Sequence, residues 1–167
     1  ISSAGLLASG TYTVIDTENG CSASASTIVT VAPSGKALNF NGSNNEVTIR
    51  KGPSFNTTSA ISIETWVNPA TGTLNSQSVL AKSNRTDNTG FIFPRTDDGW
   101  LSFSFWLAID GNWKVLSASY PAINQWNHVA ATYDGFVMRI YLNGARVNSL
   151  TAQGRITTNS SDLTIGR

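Results

Sequence analysis

Residues 126–144, W-N-H-V-A-A-T-Y-D-G-F-V-M-R-I-Y-L-N-G, leave this chain little choice of fold. Asn127, Val129, Ala131 and Tyr133 alternate with Trp126, His128, Ala130 and Thr132, the two-residue period of a strand. Asp134-Gly135 supplies a tight turn, because glycine tolerates the positive φ that such turns need. A second strand is predicted over 136–142. Asn143-Gly144, the strongest short hairpin signal, then leads into a third over 145–150. Both faces of this β-meander are largely apolar or aromatic, so it must pack inside something larger.

The rest of the chain repeats the theme. Strands are predicted over 36–41, 46–50, 61–68, 79–82, 91–95, 100–109, 113–120 and 163–166. Between them lie a Gly42-Ser43-Asn44-Asn45 turn, an Asp110-Gly111 turn and the polar loops 71–78 and 83–90. No helical period survives anywhere, and the chain reads as all-β. Residues 1–33 stand apart: strands over 10–16 and 22–31 flank a Glu18-Asn19-Gly20-Cys21 turn. Two strands cannot bury a core alone, so the rest of that sandwich is expected before Ile1. Pro33 ends the second strand and Gly35 frees the linker, which sets a domain boundary between 33 and 34.

Composition narrows the function classes. Apolar residues at 40% with 14 glycines suffice for a core, while charged residues are only 13%, about half the usual share. The polar surface must therefore be Ser, Thr and Asn. A net charge of +1 provides no field for nucleic acid or an anionic membrane. No stretch approaches the ~20 apolar residues of a membrane span. Low charge and many short strands fit a secreted or cell-surface protein, and a single cysteine, Cys21, excludes an internal disulfide framework.

The meander resembles a known signature. Trp126, His128, Val129, Ala130, Thr132, Tyr133, Asp134 and Gly135, then Tyr141, Asn143 and Gly144, match the W-x-H-V-A-x-T-Y-D-G and L-Y-x-N-G patterns of laminin-G-like jelly rolls. These belong to the concanavalin A-like lectin/glucanase superfamily. Residues 37–42 (A-L-N-F-N-G) look like its opening strand, 61–67 (I-S-I-E-T-W-V) like its S-x-E-x-W-V strand and 163–166 (L-T-I-G) like its L-x-I-G strand. The resemblance implies an antiparallel β-sandwich over 34–167. It also implies one or two closing strands after L-x-I-G, and these are expected beyond Arg167. Residues 10–25 resemble the closing hairpin of β-sandwich repeats in bacterial surface and gliding-motility adhesins, with Cys21 at the turn as a small structural side chain. That resemblance implies a long extracellular protein with neighbouring β-domains as partners. The sequons at Asn41, Asn56, Asn84 and Asn159 then read as chance in an Asn/Thr-rich chain.

The most suggestive chemistry lies in 100–113. Leu101, Phe103, Phe105, Leu107 and Ile109 form one apolar face, which must be core, while Ser102, Ser104, Trp106 and Ala108 share the other. A tryptophan among small residues can offer its ring plane to the apolar C–H face of a sugar, with amides and carboxylates fixing the hydroxyls. Asp110, Asn112 and Trp113 follow one turn away, and Arg95, Asn84 and Asp87 are candidates for the same rim. The alternative is that Trp106 packs under a loop or a neighbouring domain.

Catalysis finds little support. Glu64 and His128 share the outward phase of their strands and would pair if the strands are neighbours, but one histidine without a Ser elbow is no triad. The glucanase branch carries E-x-D-x-x-E on one strand; here only Asp97-Asp98 brings two carboxylates close, and adjacent residues point to opposite sides. The resemblance further implies one structural Ca²⁺ near the opening strand, for which Asn41, Asn44, Asn45 and Glu46 offer hard oxygen ligands, although turn asparagines are ordinary turn formers. The expected function is a non-catalytic extracellular recognition module that binds a glycan or surface polysaccharide. The alternatives are a structural spacer or protein-interaction domain, and an ancillary domain of a polysaccharide-degrading enzyme.

Overall fold

The computed structural model describes residues 10–18, 21–29, 36–70, 77–83, 87–96 and 102–166. The chain divides into two units, Ile1–Asn39 and Phe40–Arg167. In the first, β1 (Gly10–Glu18) and β2 (Cys21–Val29) pair antiparallel from Gly10↔Val29 to Glu18↔Cys21. The turn residues Asn19-Gly20 and the 32–35 linker fall outside the described residues.

The second unit contains β3 (Val47–Ile49), a 3-10 turn at Pro53–Phe55, β4 (Ile61–Val67), β5 (Ser78–Lys82) and β6 (Phe91–Thr96). It continues with β7 (Ser102–Ile109), β8 (Asn112–Ser119), β9 (Asn127–Tyr133), β10 (Val137–Leu142), β11 (Ala145–Thr151) and β12 (Leu163–Ile165). Among the described residues these form a six-stranded sheet, β3-β12-β5-β6-β7-β8, and a four-stranded sheet, β11-β10-β9-β4. All their pairings are antiparallel. The predicted meander is β9-β10-β11, and its alternation is literal: Asn127, Val129, Ala131 and Tyr133 are buried while His128, Ala130 and Thr132 face outward.

One core joins the two sheets. Phe91, Phe93, Phe103, Phe105, Leu107 and Ile109 come from the six-stranded sheet, and Ile63, Val129, Ala131, Tyr133, Met138 and Ile140 from the four-stranded sheet. Phe93 meets Phe105 edge-on, with ring centroids 5.7 Å apart, an arrangement that the positive edge and negative face of aromatic rings favour. These faces make the molecule a jelly-roll sandwich.

The predicted opening strand over 36–41 is absent. Residues 36–46 join no ladder, and Leu38 is exposed. Asn41 supplies the reason: its side-chain oxygen accepts from the amides of Ser43 (2.9 Å), Asn44 (3.1 Å) and Asn45 (3.3 Å). Side chains of this type compete with strand ladders for backbone groups. Phe40 still reaches the domain, its ring against Gly166 so closely that a Cβ there would strike it.

Residues 152–162, between β11 and β12, run as an extended strap. Tyr133 Oη shares its proton between the carbonyls of Ala152 (2.7 Å) and Gly154 (2.8 Å), while Ala152 N donates to Phe136 O at 2.8 Å. Further along, Asp110 N donates to Arg155 O and Thr157 N to Ala108 O, both at 2.9 Å. Lys82 ends the strap. Only 2% exposed, its ammonium donates to Asn159 O (3.0 Å), Asn159 Oδ1 (3.1 Å) and Ser161 O (2.9 Å). Burial lowers the Lys82 pKa and the Asp162 charge works against that lowering.

Candidate functional site

Trp106 sits mid-strand on β7, facing away from the phenylalanine core. Its face is less open than the sequence suggests, because Ser104 and Ala108 on either side are buried, as is Ile92 opposite it on β6. The indole is half-buried and held from three directions. Trp106 Nε1 donates to Ser104 Oγ at 2.8 Å, the Arg95 guanidinium lies 4.4 Å above the ring centroid, and Trp113 meets it edge-on at 6.0 Å.

Two features of the strands bring these groups together. The β6–β7 register shifts between Ile92 and Arg95, where Pro94 has no amide for the ladder, and Arg95 comes opposite Ser104 beside the indole. On the other side β8 pairs in strict register, with Val115 opposite Trp106 and Trp113 opposite Ala108. The result is an aromatic corner with a cation over one ring face. It can stack an apolar surface against indole and present guanidinium N–H donors to a hydroxyl or carboxylate oxygen.

The other expected rim residues are placed differently. Asp110 is four residues along β7 from Trp106, about 13 Å at strand rise, in the hairpin turn with φ +46°. Its carboxylate accepts from Arg155 N at 3.0 Å, and Asn112 Nδ2 donates to Asp110 O at 2.9 Å, so both shape the turn and the strap. Asp87 accepts the Thr89 hydroxyl, and Thr89 in turn accepts from Asn159 Nδ2 at 3.0 Å, beside the Lys82 anchor. Asn84 lies outside the described residues, as do Asp97 and Asp98.

The residues with calcium-type oxygens fit such an ion poorly as arranged. Asn41 Oδ1 faces three amides, Asn44 Oδ1 accepts from Asn41 Nδ2 at 2.7 Å and Asn45 Oδ1 accepts from Asn41 N at 3.1 Å. Glu46, the segment's carboxylate, is accompanied by Thr48 Oγ1 at 3.4 Å. Among the described residues no three His, Cys, Asp or Glu side chains gather around a common point.

The four-stranded sheet carries a second constellation. The β4–β9 register sets Trp66 opposite His128, and Glu64 Oε2 lies 3.4 Å from His128 Nε2, so the expected carboxylate–imidazole pair forms. The Trp66 ring inclines on the imidazole at 51°, centroids 5.3 Å apart. Phase with Glu64 is the sequence signal that turns Trp66 outward, although Trp66 also completes the S-x-E-x-W-V motif, just as Trp126 completes the W-x-H-V-A motif. The His128 backbone is bonded to Asn143 in both directions, its amide donating to Asn143 Oδ1 at 2.9 Å and its carbonyl accepting from Asn143 N at 2.8 Å.

A protein-family model, Laminin_G_3, described as the concanavalin A-like lectin/glucanases superfamily, matches residues 41–167. No curated protein matches the chain. Among solved structures, the CBM40 domain of the Ruminococcus gnavus IT-sialidase, bound to alpha2,3 sialyllactose, is similar at TM-score 0.52 and 14% identity, over 73% of this chain and 77% of that one. Domain 4 of AbnA, a GH43 extracellular arabinanase from Geobacillus stearothermophilus in complex with arabinotriose, is similar at TM-score 0.52 and 15% identity, over 92% of this chain and 66% of that one. Domains LG4-5 of the mouse laminin alpha1 chain follow at TM-score 0.51 and 16% identity, over 75% of this chain and 33% of that one. At these identities the likeness is one of fold.

Proposed function

The chain belongs to the concanavalin A-like lectin/glucanase superfamily, and from that premise we propose that it is a non-catalytic glycan-binding module. The observation that carries the reading is the Arg95–Trp106–Trp113 corner on the outer face of the six-stranded sheet. Binding of a sugar there replaces poorly held water over the indoles with C–H contacts, and the guanidinium above the Trp106 ring fixes a sugar oxygen. Turn-forming roles for Asp110 and Asn112 leave the corner itself as the centre of the site. The module is displayed outside the cell within a longer polypeptide, where weak single sites gain from multivalency.

A glycan array, run with calcium and again with chelator, tests this. Sialyllactose and arabinotriose are the first defined probes, being the ligands in two structures of this fold. Trp106→Ala is expected to weaken binding at least tenfold, and Arg95→Gln to weaken it less. Binding should survive chelation. Because Trp106 is only half-buried, its removal should cost less than the ~3–5 kcal/mol of a fully buried tryptophan, so the variant remains folded. A silent array from a folded chain would sink the reading and favour a spacer or protein-interaction domain.

A further inference from the structure

The outward face of the four-stranded sheet exposes aromatic surface that the Trp106 corner does not use. Trp66 on β4 is 63% exposed and Trp126, two residues before His128 and in phase with it, is 52% exposed. The ladder ends at Val67↔Asn127 and Trp126 is the residue just before it; continuing the register by one step sets Trp126 diagonal to Trp66, a position about 7–8 Å away on paired strands. Tryptophans bury more apolar area than any other side chain, and two of them side by side in water are the informative kind of exposure. Between and beside them stand His128 and Glu64, the latter's side chain 77% exposed although its carboxylate approaches the imidazole.

The mixture identifies the occupant. The centre of a protein–protein interface is depleted of charge and dominated by apolar contact. Here an imidazole lies between two indoles, opposite Trp66 and two residues from Trp126, and its carboxylate partner Glu64 flanks Trp66 opposite Ala130. A saccharide needs that combination: ring planes for its C–H faces, and both an acceptor and a donor for its hydroxyls. The Glu64 carboxylate disfavours acidic sugars through like-charge repulsion, in contrast to the Arg95 corner, whose cation welcomes them. We propose that Trp66, Glu64, His128 and Trp126 form a second saccharide platform, on the opposite side of the sandwich from Trp106, which takes uncharged oligosaccharides of two or more rings. The proposal rests on the glycan-binding reading and adds to it a second site with its own sugar class.

The chain's 5 tryptophans report on both sites through their indole N–H signals in an ¹⁵N-labelled sample. The whole chain is titrated with neutral gluco-, manno-, xylo- and arabino-oligosaccharides, and separately with sialyllactose. Neutral oligosaccharides are expected to move the Trp66 and Trp126 signals saturably, and the Trp66→Ala/Trp126→Ala double variant to weaken their binding at least tenfold. Glu64→Gln and His128→Gln, which leave both rings in place, should each weaken it severalfold and guard against a folding artefact. If sugars shift only the Trp106 and Trp113 signals and the double variant binds as the parent does, the second platform is wrong while the first site stands. If no sugar moves any indole signal, both readings fall together. Movement of Trp66 without Trp106 leaves the second platform and removes the first.

Discussion

Asp134 shows what one exposed side chain does in this fold. Its carboxylate accepts from Arg139 at 2.6 Å and from the Val137 and Phe136 amides at 2.8 and 2.9 Å, closing the β9–β10 turn. The Arg139 hydrogen bond, then the two amides, hold its pKa down from 3.8 to about 2. Since the folded value lies below the ordinary one, its stabilisation is complete above that ordinary value and is lost as pH falls toward about 2. Melting curves of the parent and Asp134→Asn should therefore differ at neutral pH and converge in acid; a constant gap would mean the charge is irrelevant. The same scale limits what sequence discloses about Trp106. Phase placed it beside Ser104 and Ala108, but the hydrogen bond to Ser104 and the arrival of Arg95 depend on the register shift at Pro94, which periodicity does not encode. For the Trp106 substitutions the decisive quantity is therefore binding against melting midpoint, measured on the same sample.

At the scale of elements, strands were legible because alternation is a local property, and nearly all of their cores are where the pattern put them. The miss at 36–41 is also local: Asn41 bonding its own backbone outweighed apolar Leu38 and Phe40. The strap over 152–162 had no such signature, as it has no period and takes its shape from partners far along the chain. Its anchor is buried Lys82. Lys82→Met keeps the stem but takes a charged donor from three part-buried oxygens, of which Asn159 Oδ1 keeps the Ser161 amide; losing these bonds should cost about 1–3 kcal/mol, read as a lower denaturation midpoint in urea. An unchanged midpoint would show that water serves those oxygens equally well. Gly90 beneath the strap explains its own identity: at φ +83°, any Cβ would run into the Lys82 carbonyl.

For the whole molecule, the two-sheet architecture followed from the meander and its resemblances, whereas strand order did not. Nothing in the sequence brings β12 between β3 and β5, or says which sheet each aromatic faces. That arrangement turns Trp106 and Trp66 to opposite sides, so the double-variant titration belongs to this scale: it asks whether one module presents two faces. The strap ties the two sheets together. It bonds first to Phe136 and Tyr133 of one sheet and then to Ala108, Asp110 and Lys82 of the other. Neither sheet can open without releasing it. In native-state hydrogen exchange, the amides of Asp110 and Thr157, which donate to Arg155 O and Ala108 O, should exchange with the same opening free energy as those of Phe105 and Ile140, because the sandwich unlocks as one cooperative unit. A markedly lower opening energy at these amides would mean that the strap peels away alone, and that the two sheets keep separate clocks.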